Sequence, residues 1–404
     1  MRIVVHDYGG HAFPVQLSRC LASRGHQVLH LYSGSILVPQ GSWSKSETDP
    51  ENFDVKPLFL NKQIKKESLI TRRAQEIDHG KLVLNEIRTF KPDVFIAATT
   101  ALDTQRLLQA ACDKFGIPTV FWLQDVVGLA TMSILKKRVP ILGWLAGKHY
   151  IAMEQKLLHS SHSIIAITSD FKDLLVSWGF DASKVEVIEN WAPLGDVPVR
   201  PKINSWSEDH GFSQTFNFLY SGTIGKKHNP ELLVLLAKAF ETEPSVRVVI
   251  VSQGPGRKWL EQQVKEEGLS NLHLLNYQPF ESVPDVLGAA DVVVALLEAD
   301  AGTFSVPSKV MTYMCSGKPM LLAVPPENLA SRVVSENQTG LTSPPKDIDA
   351  FIKNARSLFE SSELRTRLGE NSRSYAERNF DIEKITDRFE TVLTKVVKSA
   401  SKRG

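Results

Sequence analysis

Cysteine is scarce in this chain. Cys20, Cys112 and Cys315 are the only three, they lie far apart, and none belongs to a CxxC pair. A disulfide framework or a thiolate zinc site is therefore not expected, and the usage suits a reducing cytosol. Long apolar runs are missing as well. Nowhere do about 18 uncharged, predominantly apolar residues follow one another, so no spanning helix is expected. An excess of one charge is absent too: 47 Lys+Arg face 45 Asp+Glu, for a net charge of +2, which argues against a bulk polyanion binder. Met1-Arg2 runs straight into Ile3-Val4-Val5-His6-Asp7. With no apolar h-region and no small-residue cleavage site, a secretory signal is not expected. Neither GxGxxG nor GxxxxGK[ST] occurs, which counts against a nicotinamide oxidoreductase and a Walker-type nucleotidase.

What remains is ordinary globular material in quantity. The 404 residues are 42% hydrophobic and 23% charged, enough to bury a core in each of two domains. Short apolar runs at 2–6, 27–32, 94–98, 119–123, 163–167 and 185–188 alternate with amphipathic stretches such as 13–24. That alternation predicts βαβ units and a parallel sheet with helices on both faces. A proline-rich stretch at about 190–212 lacks either period and reads as a linker. The alternation then restarts, with strands at 216–220, 247–251, 272–275, 292–296 and 320–323 and helices at 230–240 and 257–267. The last stretch, 381–398, puts Ile382, Ile385, Phe389 and Val392 on one face of a helix.

In open α/β sheets ligands sit beyond the carboxyl ends of strands, so the loops there are where chemistry is sought. His6-Asp7-Tyr8-Gly9-Gly10-His11 follows the first strand; its glycines let a backbone approach a ligand, and His11 is a candidate beside them. Taken alone, this loop reads equally well as a tight turn. In the second half, Ser221-Gly222-Thr223-Ile224-Gly225-Lys226-Lys227-His228-Asn229-Pro230 follows a strand and opens a helix, with Asn229 as the expected cap. Its glycines and lysines suit a diphosphate. Ser252-Gln253-Gly254-Pro255-Gly256-Arg257 is a second such turn. A third, Gly302-Thr303-Phe304-Ser305-Val306-Pro307-Ser308-Lys309, ends at a helix that Ser308 is expected to cap, giving Lys309 an anion seat.

At these residues the chain resembles the retaining GT-B glycosyltransferases of family 4 over nearly its whole length. The second half carries the pieces in family order, through Gly317-Lys318-Pro319. The first half carries Gly9-Gly10 and Arg24-Gly25-His26-Gln27-Val28, similar to the family's rGHeV step. More narrowly it resembles the bacterial colanic-acid and O-antigen branch, L-fucosamine transferases included, in His6–His11, Trp122-Leu123-Gln124-Asp125 and Lys227–Pro230. The resemblance implies two Rossmann-like, doubly wound parallel-sheet domains facing across a cleft. They would cover 1–197 on the acceptor side and 198–380 on the nucleotide-sugar side, with the helix at about 381–404 packing back on the first. It further implies a hexosyltransferase that takes a sugar of the N-acetyl-L-fucosamine kind, from UDP rather than GDP, to a lipid-linked oligosaccharide without a metal or other cofactor.

Carried over by residue, Gly222, Thr223, Lys226 and Lys227 would meet the diphosphate, with Phe304, Ser305, Val306, Ser308 and Lys309 nearby. Gln253, Gly254, Tyr277 and Gln278 would border base and ribose, and Gly10 would approach the donor from the other domain. Asp125 and His11 would act at the acceptor, and Lys227 on the leaving diphosphate. One departure stands out. Many members hold two glutamates eight positions apart before the Gly-x-Pro turn, and here those slots hold Phe304 and Thr312. Either Thr312, Ser308 or backbone groups then hold the ribose, or donor affinity is weak. The single DxD, Asp347-Ile348-Asp349, precedes a helix and reads as a cap.

Basic and apolar residues mix at 135–148 (LKKRVPILGWLAGK) and 61–73 (NKQIKKESLITRR). That mixture suits an anionic lipid surface, so a peripheral place on the cytoplasmic side of the inner membrane is expected. Two other classes compete. A GT-B-shaped sugar-nucleotide epimerase would need acid/base carboxylates in the cleft. A donor-binding subunit without catalysis would account for the missing glutamates.

Overall fold

Arg2–Asp7 (β1) is buried along nearly its whole length, as the central strand of a parallel sheet must be. The structure, a computed structural model, describes residues 1–36, 43–60, 69–225, 228–299 and 308–402, apart from the side chains at 69, 70, 137 and 138. It divides into two units, Met1–Asn190 with Ile382–Gly404, and Trp191–Asp381.

In the first unit β1 is followed by α1 (Ala12–Ser23), β2 (Gln27–Ser33), β3 (Phe53–Leu58), α2 (Leu69–Phe90), β4 (Val94–Ala98), α3 (Leu102–Phe115) and β5 (Thr119–Leu123). Then come α4 (Val127–Arg138), α5 (Pro140–Ser160), β6 (Ser163–Ala166), α6 (Ser169–Ser177) and β7 (Val185–Val187). The strands pair in the order β3-β2-β1-β4-β5-β6-β7, every pair parallel. The order reverses between β1 and β4, which opens a crevice at their carboxyl ends.

The second unit repeats the plan. Its elements are α7 (Ser205–Asp209), β8 (Phe216–Ser221), α8 (Glu231–Ala239), β9 (Val246–Val251), α9 (Pro255–Glu267), β10 (Leu272–Leu275), α10 (Val283–Gly288) and β11 (Val292–Leu296). They continue with α11 (Lys309–Cys315), β12 (Met320–Ala323), α12 (Leu329–Glu336), β13 (Gly340–Ser343), α13 (Ile348–Glu360) and α14 (Ser362–Asn379). The sheet runs β10-β9-β8-β11-β12-β13, again all parallel, with its reversal between β8 and β11.

Two strands depart from the sequence expectation, and both are sheet edges. In β3 the pattern is broken by Lys56 and Pro57, residues an edge tolerates because one side makes no ladder. In β13 only four residues, GLTS, pair at all. The stretch 190–212 also holds more order than a linker. Asn204 accepts from Ser207 N–H while the Ser207 hydroxyl takes the Asn204 N–H, a full capping box that starts α7.

The last helix, α15 (Ile382–Ser401), belongs to the first unit. Arg24 donates to Glu383 Oε2 (2.7 Å), Asp387 Oδ1 (2.7 Å) and Glu390 Oε2 (2.9 Å), and His26 Nε2 lies 2.7 Å from Glu390 Oε1. The Arg24-Gly25-His26 step thus anchors α15. On its apolar face Phe389 is fully buried, 4.7 Å centroid to centroid from Trp122 of β5. Phe389→Ala should cost about 3–5 kcal/mol in unfolding free energy, the range for emptying a packed aromatic site. Denaturant titration checks this; a loss below about 1 kcal/mol would mean α15 does not pack there.

Candidate active site

In the first unit the site starts at the end of β1. Asp7 is fully buried, and it is matched on every side. One carboxylate oxygen accepts from Thr99 Oγ1 and lies 3.0 Å from His11 Nδ1; the other takes the His11 backbone N–H. Burial pushes this carboxyl up, but the facing His11 charge and the bonds from His11 and Thr99 outweigh it, so it stays well below the usual carboxylate range. Burial likewise works against a charged His11, and Asp7, its hydrogen bond and the charge of Asp125 more than offset that, raising the imidazole above its ordinary value of 6.5. Asp7 thus fixes the ring through Nδ1. Thr99 reaches it from the crossover after β4, with its backbone at φ 39°, a conformation β-branched residues rarely adopt.

The two glycines of this loop serve the protein itself. A Cβ on Gly9 would stand 2.4 Å from His11 Cε1, so only glycine lets the ring fold over it. Gly10, at φ 63°, is buried beneath Trp43, whose ring would be 2.8 Å from a Cβ there. That packing puts an indole against Gly10. Asp125 sits exposed just past β5, and its charge is felt at His11.

In the second unit, two glycine turns lock together at the ends of β8 and β9. Ile224 N–H donates to Gln253 O (3.1 Å) and Gly256 N–H to Ile224 O (3.1 Å). Gly254, at φ 120°, must be glycine, because a Cβ there would stand 2.7 Å from Ile224 O. Below them, the buried Tyr313 hydroxyl takes Ser221 N–H (2.9 Å) and donates to Ser221 O (3.1 Å). Tyr220 donates to Thr223 O (2.9 Å), and the Thr223 hydroxyl pairs with Tyr277 OH. Lys309, from the start of α11, lays its ammonium 3.6 Å above the Tyr220 ring and 3.3 Å from where a Gly222 Cβ would be. Gly222, Thr223, Tyr277, Gln253, Gly254 and Lys309 therefore gather around one turn.

Two capping expectations are corrected, and other residues of these loops have partners within the protein. Three N–H groups of the turn are already bonded: Gly222 to Val251 O (3.0 Å), Ile224 to Gln253 O, and Gly225 to His228 Nδ1 (2.9 Å). The loop is less an array of free donors than a scaffold for Thr223 and Lys309. Asn229, at φ 40°, does not cap α8; Pro230 holds that position. Ser308 stands at the N-cap of α11 in helical conformation, and its hydroxyl makes no capping bond. The Gln278 side chain accepts from Trp206 Nε1 (3.0 Å) and donates to the Asn276 carbonyl (3.0 Å), bonds made within the second unit. Lys318 Nζ donates to Gly288 O (2.7 Å) and is structural. Thr312 lies half-buried on α11. Lys226, Lys227, Phe304, Ser305 and Val306 lie outside the described residues. Asp347 caps α13 by accepting Ala350 N–H (3.0 Å), as its position predicts.

Comparison with known proteins decides the family. Residues 202–375 match the profile described as glycosyl transferases group 1, and residues 9–194 that of glycosyltransferase family 4. The chain is a GT-B glycosyltransferase. A putative colanic acid biosynthesis glycosyl transferase of Escherichia coli, WcaI, is 22% identical over 75% of this glycosyltransferase and 74% of its own length. A probable glycosyltransferase of Pseudomonas aeruginosa, WbjE, is 24% identical over 55% of each chain. Among solved structures, HepE of Anabaena in complex with UDP superposes with a TM-score of 0.70 at 16% identity, over 98% of this chain and 100% of that one.

The Asp7–His11 pair has a measurable consequence. The raised imidazole contributes stability that is present below about pH 6.5 and is lost as pH rises through the folded value. The depressed Asp7 contributes stability above about pH 4 that is lost as pH falls through its folded value. Ring-proton NMR titration should put the His11 midpoint above 6.5 in the wild type and lower it in Asp7→Asn. An equal midpoint in the two would contradict the pairing.

Proposed function

We propose that this glycosyltransferase moves a 6-deoxy amino sugar of the N-acetyl-L-fucosamine kind from UDP to a lipid-linked oligosaccharide, with retention, in bacterial surface polysaccharide synthesis. The observation that carries the donor half is Lys309 poised over Tyr220 against Gly222, at the strand-order reversal of the second sheet. As the bond from the sugar to the diphosphate breaks, the leaving group gains negative charge, and a fixed ammonium lowers that barrier. Lys226 and Lys227 follow that turn in the sequence and add two further cations. UDP in HepE supports the base, and the colanic-acid transferase of Escherichia coli supports the pathway class.

On the acceptor side, His11 is oriented by Asp7 through Nδ1, which leaves Nε2 to meet a sugar hydroxyl. Asp125, whose charge raises the His11 imidazole, is the second acceptor group in this reading. No metal takes part in this reading. Lys227→Ala should lower kcat/KM by roughly 10- to 1000-fold, while EDTA leaves the wild-type rate intact. An undiminished variant, or a rate that EDTA abolishes, would contradict it.

In this reading the acceptor's lipid meets the first turns of α5. Ile141 is 77% exposed, Leu142 67% and Leu145 53%, with Trp144 beside them stacked by Lys148 at 4.1 Å. Both α4 and α5 are regular helices, Pro140 opening the second. The upstream basic stretch contributes less than its composition suggests: Arg72 pairs with Glu76 (2.8 Å) and Arg73 with Asp103 (2.6 Å), and 61–68 lie outside the described residues. Among the described residues no helix is long and apolar enough to cross a membrane. A peripheral place on the inner membrane's cytoplasmic surface follows from this reading. Replacing Lys136, Lys137 and Arg138 by Ser should release the protein from anionic vesicles, a loss of about 3 kcal/mol at low salt. Trp144→Ala should weaken binding but keep its salt sensitivity. Unchanged co-sedimentation of both variants would contradict docking here.

A further inference from the structure

Helix α4 starts without any cap of its own. Its N-cap residue, Val126, has no side chain that can accept a hydrogen bond. The first-turn N–H groups of Val127 and Gly128 donate instead to Glu154 Oε1 and Oε2, each at 2.9 Å, from the middle of α5. Glu154 is fully buried. Gly128 makes the approach possible, since a Cβ there would stand 2.9 Å from Glu154 Oε2 and 2.8 Å from Ile151 Cα. A local Ser, Thr or Asp would have met the same N–H groups at the surface, without burying a carboxylate.

The residue this clamp borders is Asp125. On its other side, Gln124 is held by Asn190 in a reciprocal amide pair, Nε2 to Oδ1 at 3.2 Å and Nδ2 to Oε1 at 2.6 Å. Val126 itself is buried at 1% exposure. The chain is therefore fixed immediately before and after Asp125, while the Asp125 side chain alone is exposed. We infer that Glu154 is a positioning residue: by seating the first turn of α4 it sets where the Asp125 carboxylate stands relative to His11. The inference rests on the reading of Asp125 and His11 as the acceptor-side pair. Burial pushes the Glu154 carboxyl up to about 7, against the two N–H bonds and with Asp125 adding to the rise, so the clamp is electrostatically tied to the group it seats.

The His11 imidazole reports on this without any substrate, because Asp125 raises its midpoint. The test is a cycle of wild type, Asp125→Asn, Glu154→Gln and the double variant, each titrated by NMR at the His11 ring, with His11→Gln assigning the signal. Glu154→Gln replaces one accepting oxygen by an NH2 that cannot accept. Both single variants should lower the midpoint, and the double variant should go no lower than Asp125→Asn alone. A Glu154→Gln midpoint equal to wild type, or two shifts that add, would overturn the inference; additive shifts would mean Glu154 acts on His11 directly or only through the fold. An Asp125→Asn midpoint equal to wild type would overturn it too, because no coupling would remain to be set. Should Glu154→Gln fail to fold, hydrogen exchange in the wild type decides: the Val127 and Gly128 amides should be protected by about 100-fold, although first-turn amides ordinarily lack a partner. Free exchange there would overturn the clamp. If the titrations follow the expected pattern yet Asp125→Asn transfers sugar at the wild-type rate, the acceptor-side reading fails while the positional result stands.

Discussion

Parallel pairing of β1 with β2 and β4, and of β8 with β9 and β11, is the constraint on which everything else in this molecule depends. Parallel strands return through crossover helices, so every strand-to-helix turn of a sheet falls on one edge. Asp7 and Thr99 meet there although 92 positions separate them. Lys309 reaches Gly222 in the second unit by the same logic, across the reversal between β8 and β11. Neither pairing could be arranged by a local turn.

Given that edge, the chemistry follows from how buried charge is compensated. Asp7 tolerates full burial because two hydrogen-bonding side chains and a backbone N–H surround it, and that satisfaction is what makes His11 a fixed, cationic-leaning ring. Glu154 tolerates burial by taking two N–H groups that would otherwise be orphaned at a helix start. Lys309 lies on an aromatic face. In each case the compensating group also removes conformational freedom, which is the property a site needs.

Much of this was legible in the amino-acid sequence, and the remainder had identifiable causes. The apolar runs located the central strands because both of their faces are buried. The edge strands β3 and β13 escaped because an edge accepts Lys56, Pro57 and a four-residue ladder. The glycine turns were visible as turns, but what their glycines touch was not. Gly10 packs under Trp43, and Gly254 answers to a carbonyl thirty positions earlier, at Ile224. Asp7 stood in view within the His6–His11 motif, yet its role depends on Thr99, which no local pattern announces. Glu154 looks like any polar residue of an amphipathic helix; only its depth and its aim at Val127 and Gly128 set it apart. The bond from Trp206 to Gln278 was out of sight because Trp206 lay in a stretch read as structureless.

The central claim is that the second unit holds a nucleotide diphosphate by fixed lysine charge at the reversal of its sheet. Co-crystallisation with UDP tests it most directly. The account predicts both phosphates beside Thr223, within about 3 Å of Lys309 Nζ, with the ammonium drawn off the Tyr220 ring toward them. UDP bound instead at the Gly9-Gly10 turn of the first unit, with Lys309 still seated on Tyr220, would contradict it.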